Sequence, residues 1–398
     1  SMLAILLSPF YIILNVYIVR WLLRWMAACH PVMRHRAVQI PVLILYVFLA
    51  STVLTSYLVA SGPLHRFLKI TANYFLGTFV YILLAILVFD LLRLIFRHVR
   101  SKRVSLTNPW RVFAITGGCT IVVIIGISVY GIVHMRDIRV REYDLTVEKS
   151  CAVEDLRLVL VSDLHLGYTV GKDQMQQMVE KINREKPDLV CLAGDLFDNE
   201  YEAIDHPEET VQILKGLQSR YGVFACEGNH DIKEKTLAGF TFRGDASTHT
   251  DERFADFMDQ AEIQLLRDET ILLDNAFYLS GRKDPSNCRK TGETRMTPGE
   301  LTASLDKTRP LLVMDHQPRD LQELADAGVD VDLSGHTHDG QLFPGNWLVN
   351  AIWENPAGLV RKGHMTSCVT SGVGVWGPGM RVGTDSEILV LTIHFSAA

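Results

Sequence analysis

The chain has 398 residues, 48% of them hydrophobic, and a formal net charge of −6, enough material for two sizeable units. The charge is unevenly divided: residues 1–150 hold 16 Lys and Arg against 5 Asp and Glu, while residues 151–398 hold 23 against 40. A basic, apolar first part followed by an acidic domain argues against long nucleic acid as a partner, because no stripe of Lys and Arg is present to bind a phosphate backbone.

In chain order, four apolar stretches near 3–25, 39–60, 74–96 and 112–134 approach the roughly 20 residues that cross a bilayer as a helix. They predict a transmembrane domain over residues 1–135. Ser1 ahead of Met2 reads as an added residue, and no basic segment precedes a small-residue cleavage site, so a cleaved signal peptide is not expected. Asp90 and Arg93 are three apart on one helical face and read as an intrahelical pair. Arg20, Arg24, Arg34 and Arg36 in the first loop, with Arg97, Arg100, Lys102, Arg103 and Arg111 in the third, outnumber Arg66, Lys69, Arg136, Arg139 and Arg141 on the other side. Positive loops stay cytoplasmic, which predicts a multi-pass protein of the cytoplasmic membrane with its acidic domain on the periplasmic or extracellular face. Residues 136–150 are a juxtamembrane linker or a first strand; their arginines read as a collar attracted to anionic lipid, ahead of ordinary strand positions.

From residue 151 onward, apolar runs repeatedly end in Asp, Asn or His. Leu156–Val161 leads to Asp163 and His165. Lys172–Arg184 then carries Met175, Met178, Val179 and Ile182 at helical spacing, a core-packing stripe. Pro187–Ala193 leads to Asp195 and Asp198, and a helical pattern follows over Glu209–Leu217. Gly222–Cys226 leads to Asn229, His230 and Asp231. After a helical pattern over Phe254–Ile263, Pro310–Met314 leads to Asp315 and His316. Leu321–Ala327 is again helical, Val329–Leu333 leads to His336 and His338, and Ile388–Ile393 closes the fold. Residues 232–250 and 281–308 are polar and aperiodic, and read as loops at a crevice mouth. Leu342–Trp347 places aromatics directly after the last His pair, as a packed turn or as an apolar lip toward a bilayer or an acyl chain.

Buried strands that deliver polar side chains at their carboxyl ends make a ligand crevice. Carboxylate, amide oxygen and imidazole without thiolate suit manganese first, with zinc or iron as alternatives. The seven cysteines show no CxxC pairing. Cys191 and Cys226 read as core, and one disulfide among Cys151, Cys288 and Cys368 is open. No Gly-x-Ser-x-Gly element or P-loop is present, which turns the reading away from serine chemistry.

The ordered series Asp163-x-His165, Gly194-Asp195-x-x-Asp198, Gly228-Asn229-His230-Asp231, His316 and Gly335-His336-x-His338 resembles the calcineurin-like metallophosphoesterases over roughly residues 150–398. Gly374–Pro378, Arg381, Gly383 and Glu387 resemble that family's bacterial membrane-associated branch, although Asp339 stands where the branch often has glycine. The resemblance implies an α/β fold, a four-layer α-β-β-α sandwich over residues 151–398 preceded by the four-helix transmembrane domain. It also implies two divalent metal ions. Asp163, His165, Asp195 and His338 would hold one, and Asp195, Asn229, His316 and His336 the other, with Asp195 shared. Two such cations acidify a bound water and clamp the phosphoryl group. His230 would be the general acid, oriented by Asp198; Asp231 and Asp315 read as outer supports.

The expected function is a membrane-anchored metal-dependent phosphoesterase, with a lipid-linked or small phosphate ester as substrate and membrane lipids as partners. Oligomeric state stays open. A cytoplasmic-facing UDP-diacylglucosamine-type pyrophosphatase of lipid A synthesis is the rival enzyme, a non-catalytic metal-binding receptor or regulator the rival of another class. A transporter with a regulatory domain lacks the expected inverted repeat.

Overall fold

The structure, a computed structural model, describes residues 2–100, 109–237, 240–241 and 251–396. The chain divides into two compact units. One comprises residues 1–133 with 236–242 and 377–380, the other residues 134–235, 243–376 and 381–398.

The first unit is built on helices Met2–Cys29, Arg36–Leu58, Pro63–Arg100 and Pro109–His134. Each contains a segment long and apolar enough to cross a membrane. The third begins well ahead of the predicted Tyr74: His65, Arg66 and Lys69 dilute the apolar pattern, but Pro63 occupies a first-turn position where its missing N–H costs nothing. Trp21, Val53, Phe75, Phe79 and Ile86 pack together between helices. Arg93 Nη2 pairs with Asp90 Oδ1 at 2.9 Å, and the same carboxylate also accepts from Tyr17 Oη at 3.2 Å on the first helix. The pair therefore joins two helices as well as bracing one. Two downstream segments belong to this unit. Buried Lys69 donates Nζ to the Thr236 carbonyl at 2.8 Å, and Gly379 N donates to Asn73 O at 3.0 Å.

The second unit is a two-sheet sandwich. The first sheet runs, edge to edge, Ile138–Val147, Ser386–Phe395, Asp155–Val161, Leu189–Ala193, Val223–Cys226 and Ile263–Leu265; the second runs Gly358–Lys362, Met365–Val369, Val331–Ser334, Leu311–Met314, Phe277–Gly281 and Glu269–Leu273. Central strands are parallel in both. Period-two alternation explains the packing. Leu156, Leu158, Leu160, Leu189 and Cys191 face Leu279, Leu312, Met314, Val331 and Leu333 across the inter-sheet core. Full burial stabilises each leucine by roughly 1.5–3 kcal/mol. The outer faces are covered by helices. Met175, Met178 and Ile182 of helix Lys172–Glu185 are buried, and Leu301, Leu321 and Leu324 pack on Leu311 and Val313 of the second sheet. This is the α-β-β-α sandwich preceded by apolar helices.

Three expectations change. Residues 281–308 contain helices Pro285–Thr291 and Pro298–Thr302, too short for periodicity to show, started by side-chain caps from Asp284 and Thr297. In the 232–250 stretch, Thr236–Leu237 pairs with Phe240–Thr241, and residues 242–250 lie outside the described residues. Arg139 and Arg141 belong to strand Ile138–Val147 and pair with acids near the start of the last strand: Arg141 Nε lies 2.8 Å from Glu387 Oε2 and Arg139 Nη1 3.5 Å from Asp385 Oδ2. Both are therefore strand positions with carboxylate partners, the second of the two readings of these arginines. All seven cysteines are free thiols, with Cys368 inside the sandwich core.

Candidate metal centre

Every predicted ligand follows the carboxyl end of a sandwich strand. Asp163 and His165 follow Asp155–Val161, Asp195 follows Leu189–Ala193, and Asn229 follows Val223–Cys226 in the first sheet. His316 follows Leu311–Met314, and His336 and His338 follow Val331–Ser334 in the second. Backbone hydrogen bonds zip these loops together: Asp163 N donates to Gly194 O at 2.9 Å, His165 N to Asp195 O at 3.0 Å, and Gly335 N to His316 O at 3.0 Å. The turns are tight. Asp163, His165, Asp195, His336 and His338 all hold φ between 47° and 71°, a region costly for residues with a Cβ and characteristic of functional sites. Asp339 shares it at φ 47°, where glycine would be unstrained. A Cβ on Gly228 would fall on the Asp195 backbone nitrogen and carboxylate, so the loop bearing Asn229 needs glycine there.

The side chains converge. Asp163 Oδ1 lies 3.3 Å from His338 Nε2 and 3.9 Å from His165 Nε2, while Asp195 Oδ2 lies 3.1 Å from His316 Nε2 and 3.7 Å from His165 Nε2. One carboxylate thus reaches both clusters. His165 Nε2 faces His338 Nε2 at 3.1 Å, and His316 Nε2 faces His336 Nδ1 at 3.2 Å. Ring nitrogens aimed at one another satisfy each other poorly and suit a shared cation. Among the described residues, buried Asp163 Oδ1 and Asn229 Oδ1 have no hydrogen-bond partner. Two orphaned oxygens and two facing imidazole pairs fit a pair of divalent cations. Asp163, His165, Asp195 and His316 are fully buried, whereas Asn229 and His336 are half-buried and mark the open side.

Electrostatics agree. Burial would raise the Asp163 and Asp195 carboxyls, but His338 beside the first and His316 beside the second outweigh it and hold both below the usual carboxylate range. Burial lowers His336 to about 3, and likewise lowers His338. Against burial, Asp198 and Asp195 raise His165, and Asp195 raises His316 well above its ordinary value. The set is therefore ionised carboxylates with His336 and His338 favoured neutral, and a cation binding there would displace the protons that the acids hold on His165 and His316.

Outer supports fix these groups. His316 Nδ1 donates to Ala193 O at 2.8 Å, leaving Nε2 toward the cluster. Buried Arg381 stands behind His338, 3.3 Å from its Nδ1, and donates to the carbonyls of Ser371 at 2.6 Å and Gly374 at 2.8 Å. Asp231 accepts from Phe197 N at 2.9 Å and Gly228 N at 2.8 Å, and Asp315 is paired with Arg282 at 2.7 Å. His230 touches the cluster through His165, with ring centroids 5.1 Å apart. Its Nδ1 bonds to Asn199 Oδ1, while Asp198 Oδ1 is 3.9 Å away and closer to His165 Nδ1 at 3.6 Å. Sequence reading missed Asn199. Its neighbour Asp198 matched the motif, and nothing in the spacing separates the two; only the turn after Asp198 turns the amide toward the ring.

The calcineurin-like phosphoesterase profile matches residues 156–340, which contain every ligand named above. Residues 156–340 carry a calcineurin-like phosphoesterase domain. An uncharacterized metallophosphoesterase of Helicobacter pylori is 29% identical over 242 residues, 60% of each chain. An uncharacterized metallophosphoesterase of Aquifex aeolicus is 29% identical over 259 residues, 64% of this chain and 92% of that one. A Danio rerio transmembrane protein with metallophosphoesterase domain is 30% identical over 285 residues, 66% of this chain and 59% of that protein. The chain thus spans about 60% of the length of the Helicobacter relative. The four helices long and apolar enough to cross a membrane associate this protein with one.

Proposed function

We propose that this protein is a membrane-anchored, metal-dependent phosphoester hydrolase acting on an amphiphilic, lipid-linked phosphate ester. The observation that carries the reaction class is the convergence of Asp163, His165, Asp195, Asn229, His316, His336 and His338 on one crevice with two orphaned oxygens. Asp163, His165, Asp195 and His338 would hold one cation, and Asp195, Asn229, His316 and His336 the other. Bound there, divalent cations neutralise phosphoryl oxygens and acidify water, with manganese the first choice. The chain's own part falls to His230. Asn199 Nδ2 donates to Ile232 O at 3.0 Å, so its Oδ1 accepts the hydrogen bond from His230 Nδ1–H, which leaves Nε2 to carry the proton for the leaving oxygen. Burial lowers His230 to about 4, and the charge of an arriving phosphate ester favours its protonated form. Asp198 steadies the neighbouring His165.

Two features support a lipid-linked substrate. Four apolar helices in the same chain hold the domain at high effective concentration near head groups. The helix Gly345–Ile352, a few residues beyond His338, has no charged side chain, and Trp347, Leu348 and Ile352 are 63–67% exposed. Phe343 adds to the same lip at 41%. The excess of Lys and Arg in the first and third loops supports a multi-pass topology with the domain on the outer face of the cytoplasmic membrane.

Phosphate release by detergent-purified protein with Mn²⁺, measured against phospholipid phosphates one at a time, tests the reading; no release from any ester refutes it. The facing is tested with a cysteine-free variant carrying Thr294→Cys on the exposed 281–308 segment. Labelling of intact cells by an impermeant thiol reagent supports the outer face. Protection until the cells are broken transfers the assignment to a cytoplasmic-facing pyrophosphatase.

A further inference from the structure

We infer that Arg319 is a specificity-determining residue that grips a second phosphoryl group of the substrate, next to the one undergoing hydrolysis; this rests on the phosphoesterase reading above. Arg319 is exposed, yet it is held in place. Its guanidinium carbon lies 4.7 Å from the centroid of the Trp353 ring, and Nε donates to Gln317 Oε1 at 2.9 Å. Gln317 is itself 2% exposed and anchored through Nε2 to Asp284 Oδ2 at 2.7 Å, an acid with no exposure. Arginine ordinarily gives up rotamer freedom when immobilised, and here the stack and the amide have already removed much of it.

Among the described residues, the two terminal guanidinium nitrogens of Arg319 make no hydrogen bond. They form a fork suited to a tetrahedral oxyanion. Trp353 in turn stands edge-on to His336, with centroids 5.3 Å apart, and His336 is one of the two half-buried ligands on the open side of the crevice. The fork therefore sits one indole beyond the ligand cluster. A cation so placed, beside the ligand cluster and outside it, serves a phosphoryl group next to the one held among the ligands, as in a pyrophosphate or bisphosphate ester. The other basic groups nearby are committed elsewhere: Arg282 and Arg295 both pair with Asp315.

The test uses binding, so it does not depend on turnover. The full-length Mn²⁺-loaded protein in detergent is titrated calorimetrically with methylenediphosphonate and with methylphosphonate, which carry two phosphoryl groups and one. Arg319→Ala should weaken the diphosphonate at least about tenfold, the scale of one lost charge-assisted contact, and the monophosphonate less than about threefold. Arg319→Lys, which keeps the charge and loses the fork, should fall between. Equal weakening of both ligands, no weakening of either, or no diphosphonate binding by the wild type overturns the inference. Wild-type protein that binds the diphosphonate but hydrolyses no ester refutes the proposed function instead, and leaves the role of Arg319 standing.

Discussion

The two sheets of the sandwich contribute unlike ligands to the crevice. The first supplies Asp163, His165, Asp195 and Asn229, three oxygen donors and one imidazole; the second supplies His316, His336 and His338, imidazoles alone. Each proposed cation draws on both sheets, so neither sheet can make a site by itself. Carboxylates sit on one side of the seam only. Asp195 is the exception that joins the two clusters, and the first sheet should therefore be the more sensitive partner.

The largest effect is expected at that junction. Asp195→Ala should abolish turnover and reduce metal content, measured by elemental mass spectrometry, below one ion per chain; two retained ions would exclude a shared ligand. Asn229→Ala should also abolish turnover. His338→Ala, from the second sheet, touches one cluster only and should retain close to one ion. Chelation followed by Mn²⁺ should remove and restore phosphate release, and activity indifferent to chelation would break the comparison altogether.

An intermediate effect is expected at Asn199→Ala. Loss of an outer support typically costs ~10–100-fold, here in turnover with metal content unchanged. A variant that instead loses metal would show that Asn199 shapes the ligand loops more than the His230 ring.

The smallest effect concerns stability on the second sheet. Asp332 is buried and accepts from Ser367 Oγ at 2.8 Å, yet burial pushes its carboxyl up to about 7. A carboxyl raised above its unfolded value of ~3.9 holds its proton more tightly in the folded chain, so stability falls as pH rises from about 4 to about 7. Asp332→Asn removes that loss. Its unfolding free energy should exceed the wild type's at pH 8, by an amount on the order of 1–3 kcal/mol, with the gain shrinking toward pH 4. A gain of equal size at both pH values would trace the effect to packing.

Much of this was legible beforehand because the chemistry lies at strand ends. Apolar runs of four to seven residues, interrupted by Asp, Asn or His, announce both the sandwich and its crevice. The four apolar helices were legible for a similar reason, although Pro63–Ala72 was not, since a helix can continue where hydropathy fails. The partner of His230 was invisible because Asp198 and Asn199 are adjacent and only backbone geometry chooses between them. The partners of Arg139 and Arg141 were not legible, because charge density carries no record of Asp385 and Glu387 far downstream. Trp353 and Arg319 are far apart in sequence and match no motif, so only the folded chain brings them together.

Strand Ile138–Val147, which follows directly on the last apolar helix, pairs in parallel with Ser386–Phe395, and that strand also pairs with Asp155–Val161. The strand that follows the helical unit in the chain thus waits for one made some 240 residues later. During synthesis, the first sheet stays open between an early edge and a late insert while Asp163 and Asp195 are already present. The domain is expected to reach its metal-competent form only after residue 395 leaves the ribosome, and chains cut before Ser386 should be cleared by proteolysis rather than accumulate as partly active enzyme.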